Sequence, residues 1–402
     1  SDVADGQLPT SFLKVTRNEL ESIANFLYKS GEENVYTDLP MFRKTSYESP
    51  EINLNVVMLI LPEICTSYSK LCSGKKNYTP ELDKVAKKDL VYTRCYAGGD
   101  NLDSVLLTSL CSFPDQAGKS LTRQVQAQQQ IPSLASILNK RGYSTLFFSN
   151  ATQDRTQERF LHNTGFDYTY NRSDFVDHKK YSNGNIDLED YYNSVVSRLN
   201  DESGTPFLAV INTAPVQIDA TDYSGSDNEQ KTARITSYID KQLKALLNTV
   251  RGKNWHSSTL YIITSTPASG ISKAEISTQV PLIFYASALA VSGRKEKEAV
   301  SQLDIAPTVL SIMNMDSENS FFGKDIYASS DRERIIAVAL SDRHLVIAGK
   351  QRLEIYPNGS VDDFSASGTR VAPDATTSQW VKRSVTLLRT AGYLFKNNKI
   401  AR

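Results

Sequence analysis

The sequence has no long apolar run and no excess of either charge. Its 402 residues include 45 basic and 45 acidic ones, which gives a formal net charge of +0. A membrane-spanning helix needs about 20 consecutive apolar residues, and a protein that mainly binds nucleic acid needs a basic surplus. The composition therefore argues against both. Ser1 to Gly6 is polar, so we expect no signal peptide and either a cytosolic protein or the soluble domain of a longer one.

Cysteine and histidine are scarce, with four of each. The four cysteines, Cys65, Cys72, Cys95 and Cys111, are crowded into one short stretch. An even, clustered set is typical of disulfides formed in an oxidising compartment. A zinc site would need tighter Cys-x-x-Cys spacing, and four unrelated buried thiols are the remaining interpretation. We expect one or two disulfides, with the pairing left open.

Hydrophobic residues make up 40% of the chain, and their spacing switches repeatedly between strand and helix periods. Amphipathic helices are predicted between successive apolar strands, at 79–86, 131–138 and 229–250. This alternation predicts an α/β fold whose central sheet is mostly parallel and has helices on both faces. The strands are predicted at 55–61, 91–96, 143–149, 206–212, 260–264 and 280–285.

The two ends of the chain follow other patterns. Three short strands at 335–340, 344–348 and 353–356, followed by a helix near 378–393, predict a small antiparallel C-terminal subdomain closed by a terminal helix. Residues 10–30 predict a helix, and 31–53 read as an irregular linker. We therefore divide the chain into an N-terminal helix and linker (1–50), a core (51–330) and a C-terminal α+β subdomain (331–402).

Two predicted strands end in chemically different residues. The strand at 55–61 is followed by Glu63, a carboxylate, whereas the strand at 260–264 is followed by Ser265, Thr266 and Pro267. Chemistry in α/β proteins gathers at the carboxyl ends of the strands. One strand end therefore offers a metal ligand and the other offers hydroxyls and a proline.

The order of several segments resembles the alkaline phosphatase/sulfatase superfamily. The resemblance is to the branch of lipoteichoic acid synthases, lipid phosphoethanolamine transferases and PbgA (YejM)-like inner-membrane proteins, and it is nearest to the periplasmic domain of the last group. It covers roughly 50–330, while 335–402 looks most like the PbgA group. The segments that carry it are Asn55 to Glu63, Leu134 to Tyr143 (LASILNKRGY), Gly165 to Tyr168 (GFDY), Gln302 to Leu310 (QLDIAPTVL) and Phe322 to Asp325 (FGKD).

The resemblance implies an extracytoplasmic domain, on the periplasmic face of a bacterial inner membrane, anchored by a segment outside this sequence. It also implies the site of the active relatives. In those proteins a Mn²⁺ or Zn²⁺ ion activates a threonine at a helix N-terminus, and its ligands include a carboxylate after the first strand and an Asp-His pair after a later one.

By this resemblance Glu63 matches the first carboxylate. Asp100 falls where the threonine should be, with Ser104 as the nearest hydroxyl, and we prefer the interpretation that Asp100 caps the following helix. Thr266 and Pro267 fall where the Asp-His pair should be, and neither is a suitable ligand. Arg155 lies where related transferases bind a phosphate head group, which makes it a candidate anion contact.

The histidines do not restore the missing ligands. They are His162, His178, His256 and His344, and none has the spacing to complete a metal site with Glu63. We therefore expect no metal and no other cofactor. The alternative is an ion held by Glu63, Asp100, Asp103 and one distant histidine.

These residues together predict a pseudoenzyme of the sulfatase/phosphoethanolamine transferase family. By resemblance it binds or senses an envelope lipid, such as lipopolysaccharide or cardiolipin, and regulates outer-membrane lipid homeostasis. It has a possible envelope protein partner and no nucleic acid partner. The alternative is an active Mn- or Zn-dependent phosphoglycerol or phosphoethanolamine transferase, or a phosphodiester hydrolase.

Overall fold

The structure is a computed structural model of the whole chain. It describes residues 14–28, 32–34, 39–72, 76–87, 89–124, 131–175, 186–214, 216, 228–269, 271, 273–287, 295–296, 299–327, 333–349, 351–364, 370 and 375–400. The backbone alone is described at 33–34, 228, 275, 295–296 and 375–377. His178 lies outside the described residues.

A mostly parallel sheet forms the centre of the molecule, as the alternation of strands and helices predicts. Its order is β10-β4-β9-β8-β3-β7-β5-β6, and β11 also pairs with β4. The exception to parallel pairing along this order is β9, which runs antiparallel to β4 and β8. The strands are β3 (Asn55–Leu61), β4 (Leu90–Tyr96), β5 (Ser144–Ser149), β6 (Tyr168–Tyr170), β7 (Phe207–Asn212), β8 (Thr259–Ser265), β9 (Gln279–Ala286), β10 (Lys295–Glu296) and β11 (Val300–Ser301).

The central strand β3 shows why the sheet needs cover on both faces. Its residues alternate between two separate hydrophobic clusters: Val56 and Met58 belong to one, and Val57 and Leu59 belong to the other. Because successive side chains of a strand point to opposite faces, a strand that is apolar throughout must be buried on both sides. The continuous apolar run of β3 therefore fixes a three-layer fold.

Helices supply that cover. The first cluster is built from α1 (Arg17–Leu27), α3 (Leu102–Cys111), α4 (Leu134–Asn139), α5 (Arg155–Asn163), α9 (Ile305–Ile312) and α10 (Ala375–Lys396). The second is built from α2 (Pro80–Ala86), α6 (Leu188–Asp201) and α7 (Asn228–Arg251). A further short helix, α8 (Ala274–Ser277), precedes β9. None of the described helices combines the length and apolar character needed to cross a bilayer.

The C-terminal part is the predicted antiparallel sheet with a terminal helix. Its strands are β13 (Ile335–Ala339), β14 (His344–Ala348), β15 (Gln351–Ile355) and β16 (Val361–Phe364), paired in chain order. The sequence does not predict the fourth strand, β16. Its four residues, Val-Asp-Asp-Phe, form too short a pattern to identify a strand without its neighbour.

The interpretation of 31–53 as an irregular linker is wrong in part. Two short strands form there, β1 (Glu33–Asn34) and β2 (Arg43–Thr45), and β2 pairs antiparallel with β12 (Ser317–Asn319). The sheet joins segments about 270 residues apart. Such short, polar strands are stabilised by pairing with a distant partner, which local periodicity does not reveal.

The predicted disulfides are not formed, because all four cysteines are free. Cys95 and Cys111 are buried in the larger hydrophobic cluster, and burial raises the pKa of both thiols. Cys65 is buried in a separate small cluster. Free cysteine behaves as a small apolar residue in a core. Three of the four clustered cysteines therefore fill buried apolar positions, and Cys72 is half-buried.

Candidate active site

Strands β3 and β8 end side by side, at the edge where the sequence analysis placed the site. They pair in parallel from Asn55 and Thr259 to Leu61 and Ser265. The turns that follow both strands are therefore neighbours, and the structure brings Glu63 into direct contact with Thr266. Adjacent parallel strands deliver their carboxyl ends to one edge of the sheet, which is the physical reason for the contact.

Glu63 is held in an unusual backbone conformation. Its φ of 55° lies in the left-handed region, which non-glycine residues rarely adopt and which is found at functional sites. The Glu63 N–H donates to Thr266 Oγ1 at 2.9 Å, and the next N–H, of Ile64, donates to Ser265 Oγ at 2.8 Å. The two hydroxyls that follow β8 thus serve as acceptors for the turn that follows β3.

The Glu63 side chain is exposed and faces another hydroxyl. Ser269 Oγ donates to Glu63 Oε2 at 2.5 Å. Pro267, which the resemblance aligns with a metal-binding histidine, is buried and has no side-chain donor atom. A carboxylate flanked by neutral hydroxyls offers a cation one anionic ligand.

Gln302, the first residue of the QLDIAPTVL segment, belongs to this region although the sequence does not predict it as a site residue. Its side chain is buried completely. The Nε2 amide donates to Thr264 Oγ1 at 3.0 Å and to the Ser265 carbonyl at 2.9 Å, while Oε1 accepts from the Gly98 N–H at 3.0 Å. Gln302 therefore ties the end of β8 to the loop after β4. The available signal in the sequence was a glutamine at the start of an apolar segment. If that glutamine is buried, its amide needs several hydrogen-bond partners.

Asp100 lies in the loop after β4, and it does not cap α3. The interpretation that it caps α3 is wrong, because Asn101 is the N-cap and its side chain accepts from the Ser104 N–H at 3.0 Å. Asp100 Oδ2 accepts from the Ser341 N–H at 2.9 Å, and Oδ1 accepts from Asn101 Nδ2 at 3.0 Å. Its carboxylate therefore connects the core to the loop after β13.

The same loop touches the C-terminal sheet through its backbone. Ala339 donates to the Gly98 carbonyl at 2.9 Å, and the Asp100 N–H donates to the Ala339 carbonyl at 3.1 Å. Gly99 makes the approach possible, because a Cβ at that position would lie 2.5 Å from Ser104 Oγ and 2.7 Å from the Ala339 oxygen. The loop that would carry the nucleophile is thus built into a junction between two sheets.

Ser104, the nearest hydroxyl to Asp100, is 1% exposed. Its Oγ donates to Asp115 Oδ2 at 2.6 Å. Asp115 also accepts from the Leu121 N–H at 2.7 Å, and burial raises the pKa of its carboxyl. Ser104 is therefore part of a buried polar cluster, in which its hydroxyl donates to Asp115.

Arg155 is exposed in the first turn of α5. Asp154 caps this helix by accepting from the N–H groups of Thr156 and Gln157, each at 2.9 Å. Asp154 also pairs with Arg123, which reaches Asp103 on α3 at 2.5 Å. Asp103, the third carboxylate of the alternative metal site, is thereby engaged in an ion pair. The role of Arg155 as an anion contact stays a prediction.

The histidines within the described residues lie in three different environments. His162 is exposed in the last turn of α5. His256 lies between Tyr261 and Tyr285. His344 is buried on β14 with Nε2 3.2 Å from the Ala117 nitrogen, and burial lowers its pKa to about 4.

The residues at this edge do not fit a divalent metal ion. Over the part of the chain that the structure describes, no three His, Cys, Asp or Glu side chains come close enough to hold an ion. Glu63 is surrounded by hydroxyls, Asp100 accepts backbone and amide N–H groups, and Asp103 is paired with Arg123. Transition metals bound by proteins need several anionic or imidazole donors to displace water.

The family model described as Sulfatase matches residues 55–315. The structure is similar to an alkaline phosphatase superfamily protein from Vibrio parahaemolyticus, with a TM-score of 0.85 and 17% identity over 97% of this chain and 98% of that one. It is also similar to the lipoteichoic acid synthase LtaP from Listeria monocytogenes, with a TM-score of 0.74 and 14% identity over 95% and 99% of the two chains.

A third similar structure is the phosphonate monoester hydrolase SpPMH from Silicibacter pomeroyi. The TM-score is 0.57 and the identity 12%, over 84% of this chain and 94% of that one. At such identities the structural likeness establishes the fold, and the chemistry of each chain depends on its own residues.

Proposed function

Because this chain belongs to the sulfatase family, we propose that it is a catalytically degenerate member that binds an envelope lipid instead of transferring a group from it. One observation carries the proposal: the hydroxyl of Thr266, at the position of a family metal ligand, accepts the backbone N–H of Glu63 at 2.9 Å. The position serves the local fold and contributes no charge to a cation.

The family's chemistry needs both a bound metal ion and a nucleophile. A neutral threonine and a proline cannot replace an aspartate and a histidine as metal ligands. The nucleophile position carries Asp100, whose two carboxylate oxygens both accept hydrogen bonds. Without an ion and without a hydroxyl at the position of the family's threonine, neither activation of that nucleophile nor stabilisation of the phosphoryl charge is supplied.

The lipid part of the proposal is supported by the resemblance and by the fold that this chain shares with LtaP, a lipoteichoic acid synthase. The proposed lipid is lipopolysaccharide or cardiolipin, and the proposed location of the domain is the periplasmic face of the inner membrane, as the resemblance to PbgA-like proteins implies. Binding there regulates the supply of outer-membrane lipid. Arg155, exposed at the start of α5, is the residue proposed to contact the head group.

A second candidate function is favoured by one contact. Ser269 Oγ lies 2.5 Å from Glu63 Oε2, so a hydroxyl and a carboxylate are paired in the exposed turn. A carboxylate beside a hydroxyl can act as its base, and this pairing favours the alternative function, an active Mn- or Zn-dependent transferase or phosphodiester hydrolase.

Three measurements on one preparation separate these functions. The protein is purified with and without added Mn²⁺ or Zn²⁺, its metal content is measured, and hydrolysis of bis(p-nitrophenyl) phosphate is followed with and without EDTA. Lipids are extracted from the same sample and identified by mass spectrometry. We expect no stoichiometric metal, no EDTA-sensitive turnover and a co-purified phospholipid or lipopolysaccharide.

Glu63→Gln is the matched control, because it removes the carboxylate and leaves the backbone contacts of the turn. Stoichiometric metal with turnover that both EDTA and Glu63→Gln abolish would establish the enzyme and refute the proposal. Absence of lipid together with recovery of a stoichiometric envelope protein would refute lipid binding in favour of a structural partner role. Loss of the co-purified lipid in Arg155→Gln would support the head-group contact.

A further inference from the structure

A charged groove lies where α2 and α7 end beside strand β9. Its volume is about 620 Å³, which is within the range of small-molecule sites, about 300–1,000 Å³. β4 and β8 begin near it and run toward Glu63, so the groove is at the opposite edge of the sheet. It is lined by Glu81, Lys84, Val85, Lys87, Asp89, Lys244, Leu247, Asn248, Arg251 and Tyr285.

Cations outnumber carboxylates in this lining by four to two. Glu81 pairs with Lys84 at 2.8 Å and with Lys244 at 3.2 Å, so one carboxylate positions two ammonium groups. Arg251 Nη1 donates to Asn248 Oδ1 at 2.7 Å. Lys87 pairs with no carboxylate of the described residues. The surplus positive charge favours an anion, and the fixed partners reduce the entropy lost when one binds.

The lining also has an apolar part. Val85, Leu247 and Tyr285 belong to the lining together with the charged residues. The ring of Tyr285 stacks on Tyr261 with centroids 5.3 Å apart, which holds it in place. A ligand that fits both parts carries an anionic group joined to an apolar or aromatic group.

The pKa of His256 depends on the charge of Arg251, a residue of the groove. Its ring is held between two hydroxyls, with Nδ1 2.9 Å from Tyr261 Oη and Nε2 3.2 Å from Tyr285 Oη. Burial lowers the pKa of His256, and the positive charge of Arg251 lowers it further. An anion bound at Arg251 would offset that charge and raise the pKa of His256.

We propose that this groove is an anion-binding site for a phosphate ester with an apolar substituent, separate from the former catalytic edge. The surplus of cations selects the phosphate, and Val85, Leu247 and Tyr285 accommodate the substituent. The proposal does not depend on loss of catalysis at Glu63, because the groove shares no residue with that edge. The same ester chemistry occurs in soluble metabolites and in phospholipid head groups, and the experiment distinguishes these sources.

The test uses the intact chain with phenyl phosphate, inorganic phosphate and mixed phosphatidylcholine–phosphatidylglycerol vesicles as probes. Affinities for the two soluble probes are measured by calorimetry, and the pKa of His256 is followed by NMR. We expect phenyl phosphate to bind more tightly than inorganic phosphate and both to raise the pKa of His256. Vesicle binding is measured by co-sedimentation.

The double variant Lys87→Gln/Arg251→Gln removes two exposed cations of the lining. We expect it to weaken binding about tenfold, since each lost charge-assisted contact with a phosphate in water costs severalfold in affinity. Lys241→Gln is the matched control, because Lys241 is exposed on the same helix α7 but does not line the groove. Circular dichroism confirms that both variants fold.

The outcomes divide clearly. Binding of the soluble esters that the double variant weakens identifies a small soluble ligand, and vesicle binding that it weakens identifies a head group. Either supports the groove. Equal affinities of wild type, double variant and control for every probe, or saturation by phenyl phosphate with no change in the pKa of His256, would overturn the proposal.

Discussion

The backbone N–H of Glu63 donates to the side-chain hydroxyl of Thr266 across 2.9 Å, although the two residues are 203 positions apart in the chain. This contact joins the turns after the two central strands. It also explains how Glu63 is held in a left-handed conformation with φ of 55°, which costs about 1–3 kcal/mol for a non-glycine residue. The hydrogen bond offsets part of that cost.

Replacing Thr266 by valine should therefore destabilise the protein. Valine preserves the shape of the side chain but leaves the Glu63 N–H without its acceptor, and the expected loss is about 1–2 kcal/mol. Urea unfolding measures this loss. Thr266→Ser keeps an acceptor hydroxyl and should retain most of the stability. Equal stability of the wild type and the valine variant would show that the contact does not support the turn.

Asp100→Ala should loosen the junction between the core and the C-terminal sheet. The Asp100 carboxylate accepts the Ser341 N–H at 2.9 Å, and its exposure limits the expected loss to about 1 kcal/mol. Hydrogen exchange at the Ser341 amide should become faster, while amides within β14 and β15 should be unchanged. Asp100→Asn retains an acceptor oxygen and should be intermediate. Unchanged exchange at Ser341 would argue against the junction.

His344 should make stability depend on pH in the mildly acidic range. Burial lowers its pKa from 6.5 to about 4, so the folded protein resists a proton that the unfolded chain accepts. The stabilisation is present above about pH 6.5 and is lost as the pH falls toward 4, to a total of roughly 3 kcal/mol. Denaturant unfolding across this range measures the loss.

Assigning the pH dependence to His344 requires a variant, because other buried groups also titrate as the pH falls. Burial raises the pKa of Asp240 to about 6 and also raises that of Asp115. A carboxyl whose pKa is raised by folding makes the protein more stable as the pH falls. This contribution is opposite in sign to that of His344. His344→Gln cannot titrate, so the difference between wild type and variant should shrink toward pH 4. A constant difference would refute the assignment.

The cysteines should react as four free thiols. In the native protein Cys72 is half-buried, while Cys65, Cys95 and Cys111 are buried. Labelling with Ellman's reagent without reductant should therefore modify Cys72 first, and denaturation should release the other three. Cys72→Ser should abolish the rapid phase. Fewer than four reactive thiols after denaturation would establish a disulfide.

The sequence alone determined the framework of the fold. The unbroken apolar run of Asn55 to Leu61 predicts a strand buried on both faces, and the period of 229–250 predicts the long helix α7. Both signals are local, because burial of a strand or a helix imposes its own spacing on neighbouring residues. The same local order placed Glu63 after the first strand and Thr266 after a later one.

Only the tertiary structure decided what those residues contact. Gln302 joins Gly98 and Thr264, and Asp100 reaches Ser341, through hydrogen bonds between segments that no periodicity relates. The cysteines, close in sequence, are free thiols, of which Cys65, Cys95 and Cys111 are buried and Cys72 is half-buried. Which partner forms a hydrogen bond with a buried polar group depends on the packing of whole elements. The strand ends could therefore be predicted from the sequence, whereas the contacts of their side chains could not.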